Sequence, residues 1–370
     1  MDVPRTLVLT GHFPPAHGGV QRFTWELVRR LPPDRVVVVA PDAPGAAAFD
    51  RTLPFPVIRR PGYRLSLDLR RIVQEHGSST GWIPAAAPIG LFAPSLRRAG
   101  IRTVVASTHG QELGWLNAGP TRGALREMAG WLDAVTYLTT YSHDRLAAVT
   151  GSVPMHRLVG GVDLHVFGAL AGEPRDSWRP RVITVGRLVR RKGQDNLLRA
   201  WPQVLAGQPD AVLTIVGTGP YEKRLRSLAA ALPKDSVEFL GGLSEDRLVQ
   251  TLRRSHVLVT PSRDDRRGLQ TEGLGLTTLE GSAAGLPVVV GRSGGSPDSV
   301  LHGRTGFLVD AEPDALAAPI ATLLADRRLA WRMGAAGHRW VREAWSWDTS
   351  AQRLRGLLAL EISARSVRFG

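Results

Sequence analysis

The stretch RVITVGRLVRRKGQDNLLRAWPQVLAGQPDAVLTIVG, residues 181–217, decides the fold. It opens on a β-branched apolar run (181–186), crosses an arginine-rich loop ending at Gly193, and continues as a helical stretch (194–206) into a second apolar run (211–217). Neither run alternates apolar with polar residues. Strands of that kind are buried on both faces, as in a parallel sheet covered by helices. The same unit recurs in both directions along the chain. Toward the C-terminus, VEFLG (237–241), HVLVTP (256–261) and PVVVG (287–291) read as strands, and 220–231 reads as a helix. Toward the N-terminus, RTLVLT (5–10), DRVVVVA (34–40) and RTVVAS (102–107) read as strands. Between the first two of these, VQRFTWELVRRL (20–31) sets Val20, Phe23, Leu27 and Leu31 at helical spacing, with Arg22, Arg29 and Arg30 outside. The alternation predicts an α/β protein.

A break rich in Gly, Pro and polar residues, GALAGEPRDSWRP (168–180), reads as a linker, and a new strand starts directly after it. The expected organisation is therefore two doubly wound, Rossmann-like domains, 1–168 and 169–345, facing each other across a deep cleft. Ligands of such sheets sit at the carboxyl ends of the strands, and small-molecule sites prefer domain boundaries.

Size and composition agree. The chain has 370 residues, 43% hydrophobic and 22% charged, enough for more than one domain of ordinary size. No apolar run approaches the roughly 20 residues that span a bilayer. The opening MDVPRTLVLT lacks a basic region followed by a long apolar stretch, so no signal peptide is expected. The chain has no cysteine, which excludes disulfides, thiolate catalysis and cysteine-ligated zinc and suits a cytoplasmic protein. The formal charge is +14, from 47 basic and 33 acidic residues. Only Lys192, Lys223 and Lys234 are lysines, and the excess is spread out: residues 1–150 carry 17 basic and 11 acidic side chains, the remainder 30 and 22. Such a balance suits an anionic partner and equally a diffuse surface charge. No aromatic-rich basic motif of the known modules occurs, so nucleic acid is not expected.

Three glycine-bearing loops follow strands. In GHFPPAHGGVQRF (11–23), Gly18 and Gly19 stand at a helix start, where free N–H groups and the dipole favour an anion. Glycine before a helix is also ordinary turn chemistry. In the loop after strand 181–186, Arg187 and Lys192 can clamp a diphosphate, Arg as a planar fork and Lys as a point charge. The P-loop pattern is absent, and a solvated basic loop is the alternative. In EGLGLTTLEG (272–281), Gly273 and Gly275 allow close backbone approach, and a helix is expected from about Leu276 to Gly285, before Pro287. Glu272 then lies on the loop and Glu280 in the early helical turns. That spacing suits one extended ligand, held at a ribose by Glu280 and at its far end by Glu272, with phosphate between. The alternative for Glu280 is simple complementation of the helix dipole.

EGLGLTTLEGSAAGLPVV resembles the E-x7-E signature of retaining glycosyltransferases of the GT-B fold, which include sucrose synthases and many bacterial mannosyltransferases. GRLVRRKG (186–193) is similar to the donor-diphosphate loop of that family, and GGVQ (18–21) to its N-terminal glycine loop. VGGVDLHVF (159–167) resembles its interdomain segment, with Gly160 in place of the common Asn or Ser. EAWSWD (343–348) resembles the terminal segment that crosses back, which makes 346–370 a helix returning to the N-terminal domain. FPPAHGGVQ (13–21), ASTHGQELGW (106–115) and residues 186–195 resemble the actinobacterial phosphatidylinositol mannoside mannosyltransferases, whose donor is GDP-mannose.

The resemblance implies roles. Glu272 would sit at the sugar hydroxyls with Gly273, Leu274, Gly275 and Leu276 beside it, and Glu280 would hold the ribose. Arg187 and Lys192 would bind the diphosphate, Gly18 and Gly19 would approach the phosphate, and His109 would reach the sugar near the reacting carbon. Gln21 and His12 are candidates for the acceptor side; His17 flanks the same loop. The expected reaction is hexosyl transfer with retention, onto a phosphatidylinositol mannoside lipid or, in the alternative reading, from another nucleotide sugar onto a soluble natural product. A silent binding protein of the same fold is disfavoured by the complete set Arg187, Lys192, Glu272 and Glu280, and a nucleotide-sugar epimerase by the signature. No D-x-D occurs, so no metal and no cofactor are expected beyond the nucleotide-sugar cosubstrate. A lipid acceptor fits peripheral association with an anionic membrane, at the inner face of the plasma membrane. RRPGYRLSLDLRRI (59–72) is the candidate surface: Leu65, Leu67 and Leu69 stand beside Arg64, Arg70 and Arg71, although at strand rather than helix spacing.

Overall fold

The computed structural model describes residues 3–61, 64, 67–110, 112–117, 119–168, 179–265 and 271–360. Most of the expected linker (169–178), Leu65, Gln111, residues 266–270 and the last ten residues lie outside them. Two compact units form. One comprises the residues up to Gly160 together with those from Trp347 on; the other is Gly161–Ser346.

The first unit carries seven strands: β1 (Thr6–Leu9), β2 (Val36–Pro41), β3 (Val57–Arg60), β4 (Thr80–Ile83), β5 (Thr103–Ser107), β6 (Ala134–Tyr137) and β7 (Met155–Arg157). Their order is β3-β2-β1-β4-β5-β6-β7 and every pairing is parallel. The second carries β8 (Arg181–Val185), β9 (Val212–Val216), β10 (Val237–Gly241), β11 (Val257–Thr260), β12 (Val288–Gly291) and β13 (Gly306–Val309), ordered β10-β9-β8-β11-β12-β13, again all parallel. Each sheet is thus doubly wound. The order reverses between β1 and β4 in one and between β8 and β11 in the other, and the carboxyl ends beside such a reversal form the natural ligand crevice.

The strands are short and mostly apolar inside, with a few buried threonines and Ser107 among them. Leu7, Val38 and Val104 in the first unit, and Ile183, Leu258 and Val289 in the second, have essentially no exposed surface. The first sheet is covered on both faces. One layer packs Leu69, Ile72 and Leu96 on it. The other packs Phe23 and Leu27 of the Gly19–Val28 helix together with Trp347, Ala351, Leu354 and Leu358 of the Trp347–Leu358 helix. An ion pair, Arg30 Nε to Asp348 at 2.8 Å, joins the ends of those two helices. In the second unit Trp201 is fully buried and donates from Nε1 to the Ser236 carbonyl at 3.1 Å. Burying one such ring contributes on the order of 5 kcal/mol as an upper estimate. Val162 and Ser346, near the two ends of the second unit, form a parallel bridge, with Val162 N donating to the Trp345 carbonyl at 2.8 Å.

The segment 59–72 is not a strand throughout. Arg59 and Arg60 end β3, and Leu69 begins a helix that runs to His76. The alternation of Leu67 and Leu69 therefore has another origin: Leu69 is buried under the first sheet, whereas Leu67 is 49% exposed.

Candidate active site

In the second unit the site is built from the carboxyl ends of β8, β11 and β12. After β8 the chain makes a 3-10 turn over Arg190–Lys192 and reaches Gly193, which has φ +71° and starts the Gln194–Gly207 helix. Gly193 presses against the exit of β11: a Cβ there would lie 1.8 Å from the Pro261 carbonyl oxygen. Only glycine allows that approach and that left-handed backbone together. Arg263 N donates to the Arg191 carbonyl at 2.8 Å and fastens the two loops further on.

The loop packing aims Lys192 at Glu272. Its Nζ lies 2.5 Å from Glu272 Oε2, Arg191 contributes a second cation at 3.4 Å, and the Ser262 hydroxyl donates to the same oxygen at 3.1 Å. The Glu272 side chain is 11% exposed. Burial pushes its carboxyl upward, but Lys192, Arg191 and Ser262 outweigh burial and hold it below the usual glutamate range. Its backbone is held too. Glu272 N donates to Ser293 Oγ at 3.1 Å, Ser293 Oγ donates to Asp264 at 2.8 Å, and Gly295 N donates to the Glu272 carbonyl at 2.8 Å. The carboxylate is thus ionised, anchored on both sides and paired with a cation that has three N–H groups.

From Glu272 the chain passes exposed Gly273, buried Leu274 and Gly275, the last at φ +88°, into the Leu276–Ala283 helix. In its first turn Thr278 N donates to the Gly275 carbonyl at 2.9 Å, and a helix start of this kind favours an anion. Thr184, Lys192, Ser262, Glu272 and Thr277 line a recess at this helix start. Glu280 is half-buried one turn further on. Arg187 stands two residues past β8 but is exposed, outside the Lys192–Glu272 cluster.

In the first unit the corresponding positions follow β1, β4 and β5. His12 lies after β1 and is half-buried; Gly18, Gly19 and His17 are exposed, and the first two begin the Gly19–Val28 helix, which carries half-buried Gln21. His109, two residues past β5, donates from Nε2 to the Pro84 carbonyl beyond β4, at 2.6 Å. Its ring stands edge-on to Phe23, centroids 4.5 Å apart. Burial, aided by nearby His12 and opposed by the Pro84 carbonyl, lowers its pKa to about 4, so the ring is neutral at pH 7. With its proton held on Nε2 by a carbonyl, Nδ1 can accept a hydrogen bond but not donate one.

Sequence reasoning passed over Arg191, Ser262, Ser293 and Asp264. Ser262 and Ser293 each stand within two residues of a strand's carboxyl end, a position that could have flagged them. Arg191 was hidden between Arg190 and Lys192.

Comparison with known proteins follows the same lines. Residues 171–340 match the family described as Glycosyl transferases group 1, and residues 17–166 match Glycosyltransferase Family 4. A GDP-mannose-dependent alpha-(1-6)-phosphatidylinositol monomannoside mannosyltransferase of Mycobacterium tuberculosis is 40% identical, over 98% of this chain and all of its own. A Corynebacterium glutamicum enzyme, named as acting on the monoacylated form of that lipid, is 37% identical over 96% of this chain and 98% of its own. Among solved structures, HepE of Anabaena in complex with UDP superposes with a TM-score of 0.77 at 19% identity, covering 96% of this chain and 99% of its own. Sucrose-phosphate synthase of Thermosynechococcus elongatus gives 0.69 at 20% identity, covering 95% and 98%. At those identities the structural likeness speaks for the fold alone, and the fold is GT-B. With its full-length likeness to the mycobacterial and corynebacterial mannosyltransferases, the chain belongs to the retaining GT-B glycosyltransferases of group 1.

Proposed function

We propose that the protein transfers mannose from GDP-mannose, with retention, to a phosphatidylinositol mannoside. The observation that carries this reading is the 40% identity across 98% of the chain to a mannosyltransferase named for that donor and that acceptor. We assign donor binding to residues 169–345, the acceptor side to 1–168, and a returning helix to the segment from 346. Lys192, Arg187 and the N–H groups at the start of the Leu276–Ala283 helix would meet the diphosphate. Glu272, with Gly273, Leu274, Gly275 and Leu276, would hold the sugar hydroxyls, and Glu280 the ribose. Gly18 and Gly19 would lend backbone to the phosphate, His109 would accept from a sugar hydroxyl, and Gln21 and His12 would address the acceptor.

The chemistry then needs no protein nucleophile. The bond from the anomeric carbon to the phosphate oxygen breaks, and its electron pair leaves with the diphosphate. The acceptor oxygen enters on the same face, and its proton passes to the departing phosphate oxygen. Negative charge grows where Lys192 stands. One such charged contact is worth about 3 kcal/mol in the transition state, near a hundredfold in rate.

Calorimetry with GDP-, UDP- and ADP-sugars, followed by transfer assays on lipid and soluble acceptors, tests the reading. GDP-mannose should bind in preference and the lipid should be glycosylated. Preference for another nucleotide, with transfer only to a soluble alcohol, would overturn it.

We further propose that the protein works at the inner face of the plasma membrane, on anionic lipid. Exposed Leu67 beside exposed Arg64, Arg70 and Arg71 supports this, as apolar and basic groups together suit such a surface. No helix among the described residues is long and apolar enough to cross a membrane. Co-sedimentation with phosphatidylinositol-containing vesicles should fall on charge reversal at Arg70 and Arg71. Equal recovery with neutral vesicles would count against it.

A further inference from the structure

Glu112 is a buried carboxyl for which the proposed reaction has no use. It has 1% of its surface exposed and stands at the start of a short helix, Glu112–Trp115, in the loop that carries His109. Its Oε2 accepts from His109 N at 3.0 Å. The backbone N–H groups of Gly110 and Glu112, and of Ala87 in the loop after β4, also act on this carboxyl and favour its charged form. Burial pushes its pKa upward, and those four N–H groups pull against it without cancelling it. A buried acid of this kind is costly unless it satisfies something.

What it satisfies is the frame of one hydrogen bond. The loop after β5 carries the His109 ring, and the loop after β4 carries its acceptor, the Pro84 carbonyl, three residues before Ala87. Glu112 holds the first loop by its bond to His109 N, and its carboxyl also feels the Ala87 N–H of the second. Among the described residues no hydrogen-bond partner meets His109 Nδ1, so the ring's second nitrogen keeps its lone pair uncommitted. We propose that Glu112 is a positioning residue: by anchoring the His109 backbone it keeps the ring on the Pro84 carbonyl in the Nε2-protonated tautomer, with Nδ1 set to accept a hydrogen bond from a hydroxyl of the donor sugar. This rests on the sugar-binding role proposed for His109. It adds the residue that keeps the direction of that hydrogen bond fixed, with the histidine as acceptor and the sugar as donor.

The ring can be read without substrate. In protein labelled with 15N at histidine, the His109 signals, assigned by their loss in His109→Gln, should show a protonated Nε2 and a bare Nδ1 at pH 7. In Glu112→Gln the tautomers should mix, because the amide NH2 opposes the backbone N–H groups, and kcat should fall roughly tenfold to a hundredfold. KM for the donor should change much less. In a His109→Ala background, Glu112→Gln should cost nothing further in kcat. A wild-type signal with the proton on Nδ1 overturns the proposal whether or not any variant folds. So does an unchanged tautomer in Glu112→Gln, or a loss that multiplies with that of His109→Ala. Failure to bind GDP-mannose while the tautomer follows Glu112 would sink the function instead and leave the anchor standing.

Discussion

Alanine at Gly193 tests whether the donor loop owes its shape to one close approach. The added Cβ would lie 1.8 Å from the Pro261 carbonyl oxygen, whereas ordinary contact begins at 3.4 Å, so the two loops must move apart. The residue also sits at φ +71°. A non-glycine residue there costs about 1–3 kcal/mol, and overpacking adds about 1–3 kcal/mol more. At roughly 3 kcal/mol in total, the second unit should melt on the order of 10 °C lower. Lys192 is the adjacent residue, and its 2.5 Å bond to Glu272 would stretch with the loop. A displacement of about 1 Å at a positioning group can cost a hundredfold in rate. Gly207, at the other end of the same helix, is the control: a Cβ there meets nothing within 4 Å. Gly207→Ala should keep full activity and gain up to about 1 kcal/mol in stability. Calorimetric melting and initial-rate kinetics on both variants decide the matter. A Gly193→Ala protein with parental melting temperature and kcat would refute the reasoning.

The pH dependence of stability should carry the mark of His109. Its folded pKa of about 4 lies below the ordinary 6.5, so the unfolded chain binds a proton that the folded chain refuses over that window. Stability contributed by the neutral ring is complete above pH ~6.5 and is lost as pH falls toward 4, about 3 kcal/mol in all. Urea titrations from pH 7 to 4 should show His109→Gln flattening that slope; identical slopes would dismiss it. Glu272→Ala should abolish turnover while Glu280→Ala chiefly weakens donor affinity, read as kcat against KM. Parental kinetics in either variant would defeat its assigned role.

Much of this protein was legible in one dimension. Runs such as 36–40 and 287–291, apolar without alternation, force burial on both sheet faces, and the helices between them leave parallel pairing as the sole economical closure. The short strands TGWI (80–83), MHR (155–157) and GFLV (306–309) were not legible. Three or four residues carry too little pattern, and their neighbours in the sheet select them. The candidate residues Lys192 and Glu272 could be named from glycine punctuation and spacing, because backbone that must turn sharply or approach closely declares itself in residue type. Their partnership could not. Eighty positions separate them, and the 2.5 Å contact exists because β8 and β11 are adjacent at the winding reversal and Gly193 lets their loops touch. The state of His109 is likewise a tertiary property. An imidazole is chargeable in any sequence; only burial beside Phe23 makes it neutral, against the pull of the Pro84 carbonyl, and that carbonyl fixes which nitrogen is bare.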